Sequence, residues 1–216
     1  MLDWLRGYYA IVDVTAEVPD RDHVLRLADQ LLAAGPCCLQ LRAKRLPAAP
    51  LCALARVLKT RCRGVGVPFC VNDRLDVALV VGADVVHLGQ DDLPLVDAKR
   101  LVPAGMLIGY STHDLTQARL AAAEGADYIG FGPVFPTQTK LAPDPTVGLD
   151  ALRAVCAAVT VPVVAIGGIG LDRLADVAAA GASAAAVIAA VAGAPDPVAA
   201  GRQIHDTFLS HRPAGS

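Results

Sequence analysis

A repeated break between helix and strand is the feature that most restricts the fold of this chain. Segments rich in Ala and Leu end at Gly-Pro, Gly-Ala-Asp or Gly-Ala-Ser, and a short apolar run follows each time. The breaks occur at Gly35, Gly82, Gly125 and Gly181. Glycine at such a point ends a helix in the left-handed conformation, and a small residue after it lets the next strand approach closely. The pattern therefore predicts alternating helices and strands.

The alternation predicts eight strands, because four further apolar runs, introduced by Pro or Gly, lie between those that follow the breaks. The predicted strands are residues 8–12, 37–41, 68–71, 85–88, 107–110, 128–131, 162–166 and 184–188. Helices are predicted between them, among others at residues 22–34, 51–61, 75–81, 114–123, 149–158 and 172–180. Strands that alternate with helices form parallel crossover units. We predict an α/β fold, a closed (β/α)8 TIM barrel.

Length and composition favour a single barrel domain over residues 1–216. Of the 216 residues, 54% are hydrophobic but only 4% are aromatic, as suits strands that are buried on both faces. The rival fold is an open doubly wound sheet, which usually carries a glycine-rich loop after its first strand. The segment after Val12 has no such loop. We expect a frayed tail after about residue 211.

Charge and apolar patterning argue against several other classes of protein. The formal net charge of -2 gives no sign of a nucleic-acid-binding surface. No apolar run is long enough for a membrane span, and the first six residues lack the core of a signal peptide. The six cysteines show neither zinc-ligand spacing nor a disulfide framework, so we expect buried thiols in a reducing cytosol. A cytoplasmic location is expected, and the oligomeric state stays open, a homo-oligomer included.

Carboxylates follow two neighbouring predicted strands. Asp73 follows the third strand, and Asp91 and Asp92 follow the fourth. The ends of neighbouring parallel strands lie about 5 Å apart, so one carboxylate from each, Asp73 and Asp92, could hold a divalent cation. Helix capping is the alternative for either residue, since Asp73 precedes a predicted helix and an Asp there stabilises the first turn.

The second strand ends in polar residues that alternation places on one face. Gln40, Arg42 and Lys44 share that face, and Ala43 lies on the other. Two cations on the inward face of a strand are costly unless they meet an anion. This face therefore predicts an anionic ligand, and the alternative is that Lys44 and Arg45 are solvated loop residues.

Further donors for a phosphate follow the third, fifth, sixth, seventh and eighth strands. The loop over residues 132–148 has the length of a lid or binding loop, and glycines after the seventh strand are typical of barrels that cradle phosphate with backbone N–H groups. These donors are Asn72, Ser111, Thr137, Thr139, Lys140, Gly168, Ile188 and Ala189. His87, inside the fourth strand, is predicted to be a packed core residue.

Taken together, these motifs resemble the thiamin phosphate synthase family from Tyr9 to about Ala200. The resemblance rests on residues 40–44, 71–73, 87–92, 132–140 and 166–169. It implies a transferase that joins a hydroxymethylpyrimidine diphosphate to a thiazole phosphate and releases pyrophosphate. Because the pyrophosphate leaves first in such enzymes, catalysis requires charge neutralisation and positioning of the nucleophile, without a covalent protein intermediate.

The resemblance also implies a role for each site residue. The groups that would hold the diphosphate are Arg42, Lys44, Asn72, Ser111 and Lys140. The carboxylates that would bind Mg²⁺ are Asp73 and Asp92, and Gln40 would approach the pyrimidine. The groups that would grip the thiazole phosphate are Thr137, Thr139, Gly168 and the backbone near Ile188 and Ala189. Within these sets, the residues expected to act in catalysis are Lys140, Ser111 and Arg42.

Two positions depart from the family pattern. The family usually has Glu where this chain has Ala43, which is predicted to face away from the site. It often has Ser where this chain has Ala189, and a lost hydrogen bond there would weaken phosphate binding by about 1 kcal/mol. Two alternative functions stay open: a thiazole tautomerase on the same barrel, whose members lack much of the cationic and metal-binding half, and a non-catalytic barrel that binds a phosphorylated ligand.

Overall fold

Eight parallel strands close into a barrel in which each strand pairs with the next and the last pairs with the first. The computed structural model describes residues 2–137 and 145–211. The strands are β1 Gly7–Asp13, β2 Cys38–Arg42, β3 Phe69–Asn72, β4 Val85–Leu88, β5 Leu107–Thr112, β6 Tyr128–Phe131, β7 Val163–Ile166 and β8 Ala184–Val187. The predicted (β/α)8 barrel is confirmed.

Helices follow the strands and cover the outside of the barrel. They are α1 Arg21–Ala33, α2 Ala48–Gly64, α3 Leu75–Val81, α4 Leu95–Leu101, α5 Leu115–Ala123, α6 Gly148–Ala158, α7 Leu174–Ala179, α8 Ala189–Ala192 and α9 Pro197–Ser210. The helix predicted over residues 172–180 is divided: a 3-10 turn, Leu171–Arg173, precedes α7. The four break glycines all have positive φ, which confirms their predicted conformation.

The two faces of each strand enter different apolar layers. On β2, Leu39 and Leu41 pack in the layer between barrel and helices, whereas Cys38 packs in the barrel interior with Tyr9 and Tyr128. Each fully buried leucine of the outer layer contributes about 2 kcal/mol of hydrophobic stabilisation. Alternation along β2 therefore turns every second side chain into the barrel, as the sequence predicts.

The Gly-Ala-Asp breaks also supply carboxylates that join the barrel to its helices. Asp84 accepts a hydrogen bond from the Phe69 N–H at 2.8 Å and pairs with Lys59 of α2. Asp127 accepts one from the Ile108 N–H at 2.7 Å and lies 3.5 Å from Lys99 of α4. Each carboxylate thus satisfies a backbone N–H of the preceding strand at the end opposite the site.

Two strand boundaries differ from prediction in ways that move site residues. Strand β5 continues through Thr112 because Ser111 and Thr112 pair with Gly130 and Phe131 of β6. Ser111 therefore lies within the wall of the barrel and not in a loop. Ile188 leaves β8 and becomes the residue that precedes α8.

The cysteines are unpaired thiols, as expected. Cys37, Cys38, Cys62 and Cys70 are buried, whereas Cys52 and Cys156 are half-buried. Within residues 2–137 and 145–211, no helix is long and apolar enough to cross a membrane. The predicted frayed tail lies outside the described residues, as do the predicted site residues Thr139 and Lys140.

Candidate active site

A cavity of about 680 Å³ lies inside the barrel and at the carboxyl ends of its strands. This is the end at which (β/α)8 enzymes place their active sites. Every predicted site residue that the structure describes lines this cavity. These residues are Gln40, Arg42, Lys44, Asn72, Asp73, Asp92, Ser111, Thr137, Gly168, Ile188 and Ala189.

Arg42 meets a carboxylate of the chain itself. Its Nη1 lies 2.6 Å from Asp13 Oδ1, and the two side chains are only 15% and 8% exposed. The sequence interpretation matched the charge of Arg42 to a bound anion alone and missed Asp13. Asp13 stands opposite Arg42 at the end of β1, and this pairing depends on the register between β1 and β2, which the sequence pattern does not show.

Asp73 is held in an unusual backbone conformation at the cavity. Its φ is 63°, and it is the one residue other than glycine with positive φ in the described part of the chain. For such a residue this conformation costs about 1 kcal/mol. The capping alternative is wrong here, since α3 has Arg74 at its N-cap and no side-chain capping bond. Asp73 Oδ2 instead lies 3.3 Å from Lys44 Nζ.

Lys44 combines the two sequence alternatives. Its side chain is 55% exposed, as a solvated loop residue would be. Its ammonium nevertheless pairs with Asp73 and lines the cavity. A half-exposed ion pair of this kind contributes little to stability. Its effect on the site is to place a cation beside the two carboxylates.

Asp92 is the second carboxylate of the pair. It accepts a hydrogen bond from the Gly89 N–H at 2.7 Å, and α4 has Pro94 at its N-cap without a side-chain bond, so Asp92 does not cap that helix. Burial, with a smaller contribution from the nearby Asp73 carboxylate, raises the pKa of Asp92 to about 6, against the opposing effects of the Gly89 N–H and Lys44. Asp91 is exposed by comparison.

The donor set fits a hard divalent cation. The Asp73 and Asp92 carboxylates are close enough to repel each other, and this repulsion adds to the effect of burial on the pKa of Asp92. A cation between them would relieve it. Among the described residues, no group of three or more His, Cys, Asp or Glu side chains could hold a metal. Mg²⁺ bound by one or two carboxylates, with water and substrate phosphates at its other positions, needs no larger set.

A chain of hydrogen bonds crosses the cavity, and its middle members were missed from the sequence. His87 Nε2 lies 2.9 Å from Ser111 Oγ, and His87 Nδ1 lies 3.0 Å from the Tyr128 hydroxyl. The Tyr128 and Tyr9 hydroxyls are 2.9 Å apart, and Gln40 Nε2 donates to Tyr9 at 3.1 Å. His87 is therefore half-buried and polar-bonded at the cavity, which corrects its prediction as a packed core residue.

The loops after β6 and β7 contact each other beside the residues that are predicted to bind the thiazole phosphate. The Phe135 N–H donates to the Gly167 carbonyl at 3.1 Å, and a Cβ at Gly168 would lie 2.4 Å from the Pro136 carbonyl oxygen. Arg173, another residue missed from the sequence, donates to the Gly168 carbonyl at 2.8 Å and lies 4.5 Å over the Phe135 ring. These contacts hold the turn at Gly167 and Gly168 against the start of the loop over residues 132–148.

The two departures from the family pattern have different surroundings. Ala43 is 6% exposed and packs in the layer between barrel and helices, so its side chain faces away from the cavity as predicted. Ala189 begins α8, is exposed and lines the cavity. Of the two departures, only the missing serine hydroxyl at Ala189 therefore affects the cavity.

The fold and the cavity at the carboxyl ends of its strands are those of a (β/α)8-barrel enzyme with small-molecule substrates. The family model described as thiamine monophosphate synthase matches residues 8–191. The chain belongs to that family, which confirms the resemblance drawn from its motifs. The predicted enzyme class, a transferase of thiamine biosynthesis, is also confirmed.

Sequence relatives and a solved structure match this chain over nearly their whole length. A thiamine-phosphate synthase from Methanospirillum hungatei is 45% identical over 203 residues, which cover 94% of this chain and 98% of the relative. One from Anaeromyxobacter dehalogenans is 47% identical over 210 residues, 97% of this chain and 91% of the relative. The thiamine phosphate pyrophosphorylase structure from Pyrococcus furiosus has a TM-score of 0.85 at 34% identity and covers 98% of this chain and 99% of that one. A 3-hexulose-6-phosphate synthase, with a TM-score of 0.73 at 20% identity, shares the fold alone.

Proposed function

We propose that this chain couples 4-amino-5-hydroxymethyl-2-methylpyrimidine diphosphate to 4-methyl-5-(2-hydroxyethyl)thiazole phosphate, giving thiamin phosphate and pyrophosphate. The observation that carries the proposal is a cavity with two different halves. Cations and a carboxylate pair from β2 to β4 form one half, and the glycine turn after β7 forms the other. Relatives named thiamine-phosphate synthase, matched over nearly their whole length, support the assignment, and a cytoplasmic location is part of the proposal.

The diphosphate half neutralises a leaving anion. Lys44, Asn72 and Ser111 line the cavity, and the guanidinium of Arg42 has donors besides the Nη1 that binds Asp13. When the bond between the pyrimidine methylene carbon and the diphosphate oxygen breaks, both electrons leave with pyrophosphate. Donors already aimed at that anion stabilise the transition state, because they need no reorganisation as charge develops.

The carboxylates of Asp73 and Asp92 would hold Mg²⁺ beside that anion. When bound, the ion supplies further neutralisation of the pyrophosphate charge. The chain's own contribution is to hold the two carboxylates together on neighbouring strand ends, with the Gly89 N–H and Lys44 orienting them.

The second half positions the nucleophile. The N–H groups around Gly168 and at the start of α8, with Thr137, would bind the thiazole phosphate and direct the ring nitrogen at the methylene carbon. Holding the two reactants side by side converts a bimolecular step into an effectively unimolecular one. Thr139 and Lys140 belong to the same proposal through the family resemblance.

The cavity favours coupling over the two alternatives. A thiazole tautomerase needs neither the carboxylate pair nor the cations of β2, and a non-catalytic phosphate binder needs no metal-binding half. This chain retains Arg42, Lys44, Asp73 and Asp92 at one cavity. The metal-binding half therefore argues against both.

The direct test mixes the purified protein with both substrates and Mg²⁺ and follows thiamin phosphate and pyrophosphate. Formation of both products in equal amounts is expected, and omission of the thiazole phosphate should stop thiamin phosphate formation. Isomerisation of the thiazole without coupling would support the tautomerase. Binding of either substrate without any product would support a non-catalytic barrel.

Mg²⁺ is expected to raise the melting temperature of the metal-free protein at about pH 7.5 and much less at about pH 5.5. The pKa of Asp92 is raised to about 6, so below that pH a proton competes with the cation. Because the pKa of Asp92 is higher in the folded protein than in the unfolded chain, protonation of Asp92 stabilises the folded state of the metal-free protein. This contribution to the free energy of unfolding is fully present below about pH 4 and is lost as the pH rises through about 6.

Thermal unfolding with and without Mg²⁺ at the two pH values measures this effect. Asp92→Asn should abolish the Mg²⁺-dependent shift, whereas Asp91→Asn, a matched change at the exposed neighbour, should retain it. A full shift in the Asp92→Asn protein would remove Asp92 from the metal site.

A further inference from the structure

We propose that Tyr9, Tyr128 and His87 are positioning residues that form one directed chain of hydrogen bonds between Gln40 and Ser111. The chain turns the Ser111 proton toward the diphosphate and leaves the Gln40 carbonyl oxygen as the acceptor for the pyrimidine. This inference rests on the proposed function, because it assigns both ends of the chain to one substrate. It adds three residues that act through Gln40 and Ser111.

The chain is continuous across five strands of the barrel. Its four links measure 3.1 Å from Gln40 to Tyr9, 2.9 Å from Tyr9 to Tyr128, 3.0 Å from Tyr128 to His87 and 2.9 Å from His87 to Ser111. All are ordinary hydrogen-bond lengths. All five residues line the cavity, so both ends reach a bound ligand.

The distances alone permit two directions of donation. In one, each group donates toward Ser111, whose own proton then points into the cavity. In the other, each group donates toward Gln40, and Ser111 gives its proton to His87. The two directions place the imidazole proton on different nitrogens, Nε2 in the first and Nδ1 in the second.

Cys70 selects the direction toward Ser111. Its Sγ donates to the Val71 carbonyl at 3.7 Å, and Gln40 Nε2 lies 3.7 Å from the same sulfur. The amide group facing both Cys70 and Tyr9 is then the NH₂, which gives one hydrogen to each. The Tyr9 oxygen accepts, which leaves its O–H to donate either to the Cys70 sulfur or to the Tyr128 oxygen at 2.9 Å. A hydroxyl oxygen is the stronger acceptor, so Tyr9 donates to Tyr128, and Tyr128 by the same preference donates to His87 and not to Cys70.

The rest of the direction follows from the donor inventory. Burial raises the pKa of both Tyr9 and Tyr128, so each keeps the proton that the chain needs. His87 accepts at Nδ1 and donates from Nε2 to the Ser111 oxygen. The hydroxyl proton of Ser111 is then free to bind an anion, which is the direction that a diphosphate favours.

The neighbouring strands leave room for this chain. A Cβ at Gly109 of β5 would lie 2.2 Å from Tyr128 Cζ and 2.5 Å from His87 Nδ1. One at Gly130 of β6 would lie 3.0 Å from His87 Cε1. A side chain at Gly109 would collide with both Tyr128 and His87, and one at Gly130 would press tightly on the His87 ring. Glycine at both positions therefore accommodates the chain.

The test breaks the middle of the chain with Tyr128→Phe. Tyr8→Phe is the matched control, since Tyr8 is equally buried and its hydroxyl has no hydrogen-bond partner among the described residues. Nitrogen-15 NMR of the imidazole, with the signal assigned by its loss in His87→Gln, reads the tautomer directly. The wild-type protein and Tyr8→Phe should show the Nε2–H form, and Tyr128→Phe should shift His87 toward the Nδ1–H form.

Kinetics provide the second readout. Tyr128→Phe and Tyr9→Phe should lower kcat/KM for the pyrimidine diphosphate by about tenfold and leave KM for the thiazole phosphate unchanged, and Tyr8→Phe should match the wild type. An Nδ1–H tautomer in the wild-type protein, or Tyr128→Phe kinetics equal to those of Tyr8→Phe, would overturn the directed chain. A wild-type protein that forms no thiamin phosphate would refute the proposed function, and the tautomer would still decide the direction of the chain.

Discussion

Asp92→Ala is expected to lower turnover by about 10³-fold, which corresponds to about 4 kcal/mol of lost transition-state stabilisation. The variant removes one of the two carboxylates that hold Mg²⁺ in the proposed site, and with it neutralisation of the leaving pyrophosphate. The protein should remain folded, because burial and the Asp73 carboxylate already disfavour ionised Asp92, as its raised pKa shows. The rate of pyrophosphate release and the melting temperature of the same preparation measure the two effects.

Asp91→Ala is the matched control for this prediction. Asp91 precedes Asp92 in the same loop and is exposed, so its removal should leave turnover within about twofold of wild type. Unchanged turnover in Asp92→Ala would exclude the metal assignment. Equal losses in both variants would point to the loop and not to the Asp92 carboxylate.

Arg42→Met is expected to lose both stability and activity, for separable reasons. The change leaves Asp13 as a carboxylate that is 8% exposed and has lost its ion pair, and breaking a buried pair from one side costs about 3 kcal/mol. The same change removes a guanidinium from the diphosphate half of the cavity. Denaturant unfolding and steady-state turnover measure the two losses.

Combining Arg42→Met with Asp13→Asn separates these losses. The double variant has no unpaired charge, so it should recover most of the unfolding free energy that the single variant loses. Turnover should stay low, because the donor for the leaving anion is still missing. Recovery of turnover together with stability would show that Arg42 acts only by supporting the fold.

The β2 face shows how far the sequence could be read into the site. The alternation of side chains along a strand predicts that Gln40, Arg42 and Lys44 share one face, and all three line the cavity. The same rule set Ala43 apart, and it lies in the outer apolar layer. Periodicity succeeds here because the direction of a side chain along one strand is a local property.

Contacts between distant strands could not be read in this way. Tyr128 reaches Tyr9 across 119 residues and His87 across 41. The apolar residues around His87 in its own strand predict a core residue, whereas its hydrogen-bond partners lie on β5 and β6. Asp13 was missed for a related reason, since its significance depends on the register between β1 and β2.

Amino-acid order alone is enough to predict the eightfold alternation, the breaks that end the helices, and the residue types at the carboxyl ends of the strands. These follow from local backbone preferences and from periodicity. The contacts among those residues depend on the folded barrel: Arg42 pairs with Asp13, Asp73 pairs with Lys44, and Ser111 connects to Gln40 through three intervening side chains. Closure of the barrel causes these contacts, because register and curvature bring side chains from distant strands within hydrogen-bond distance.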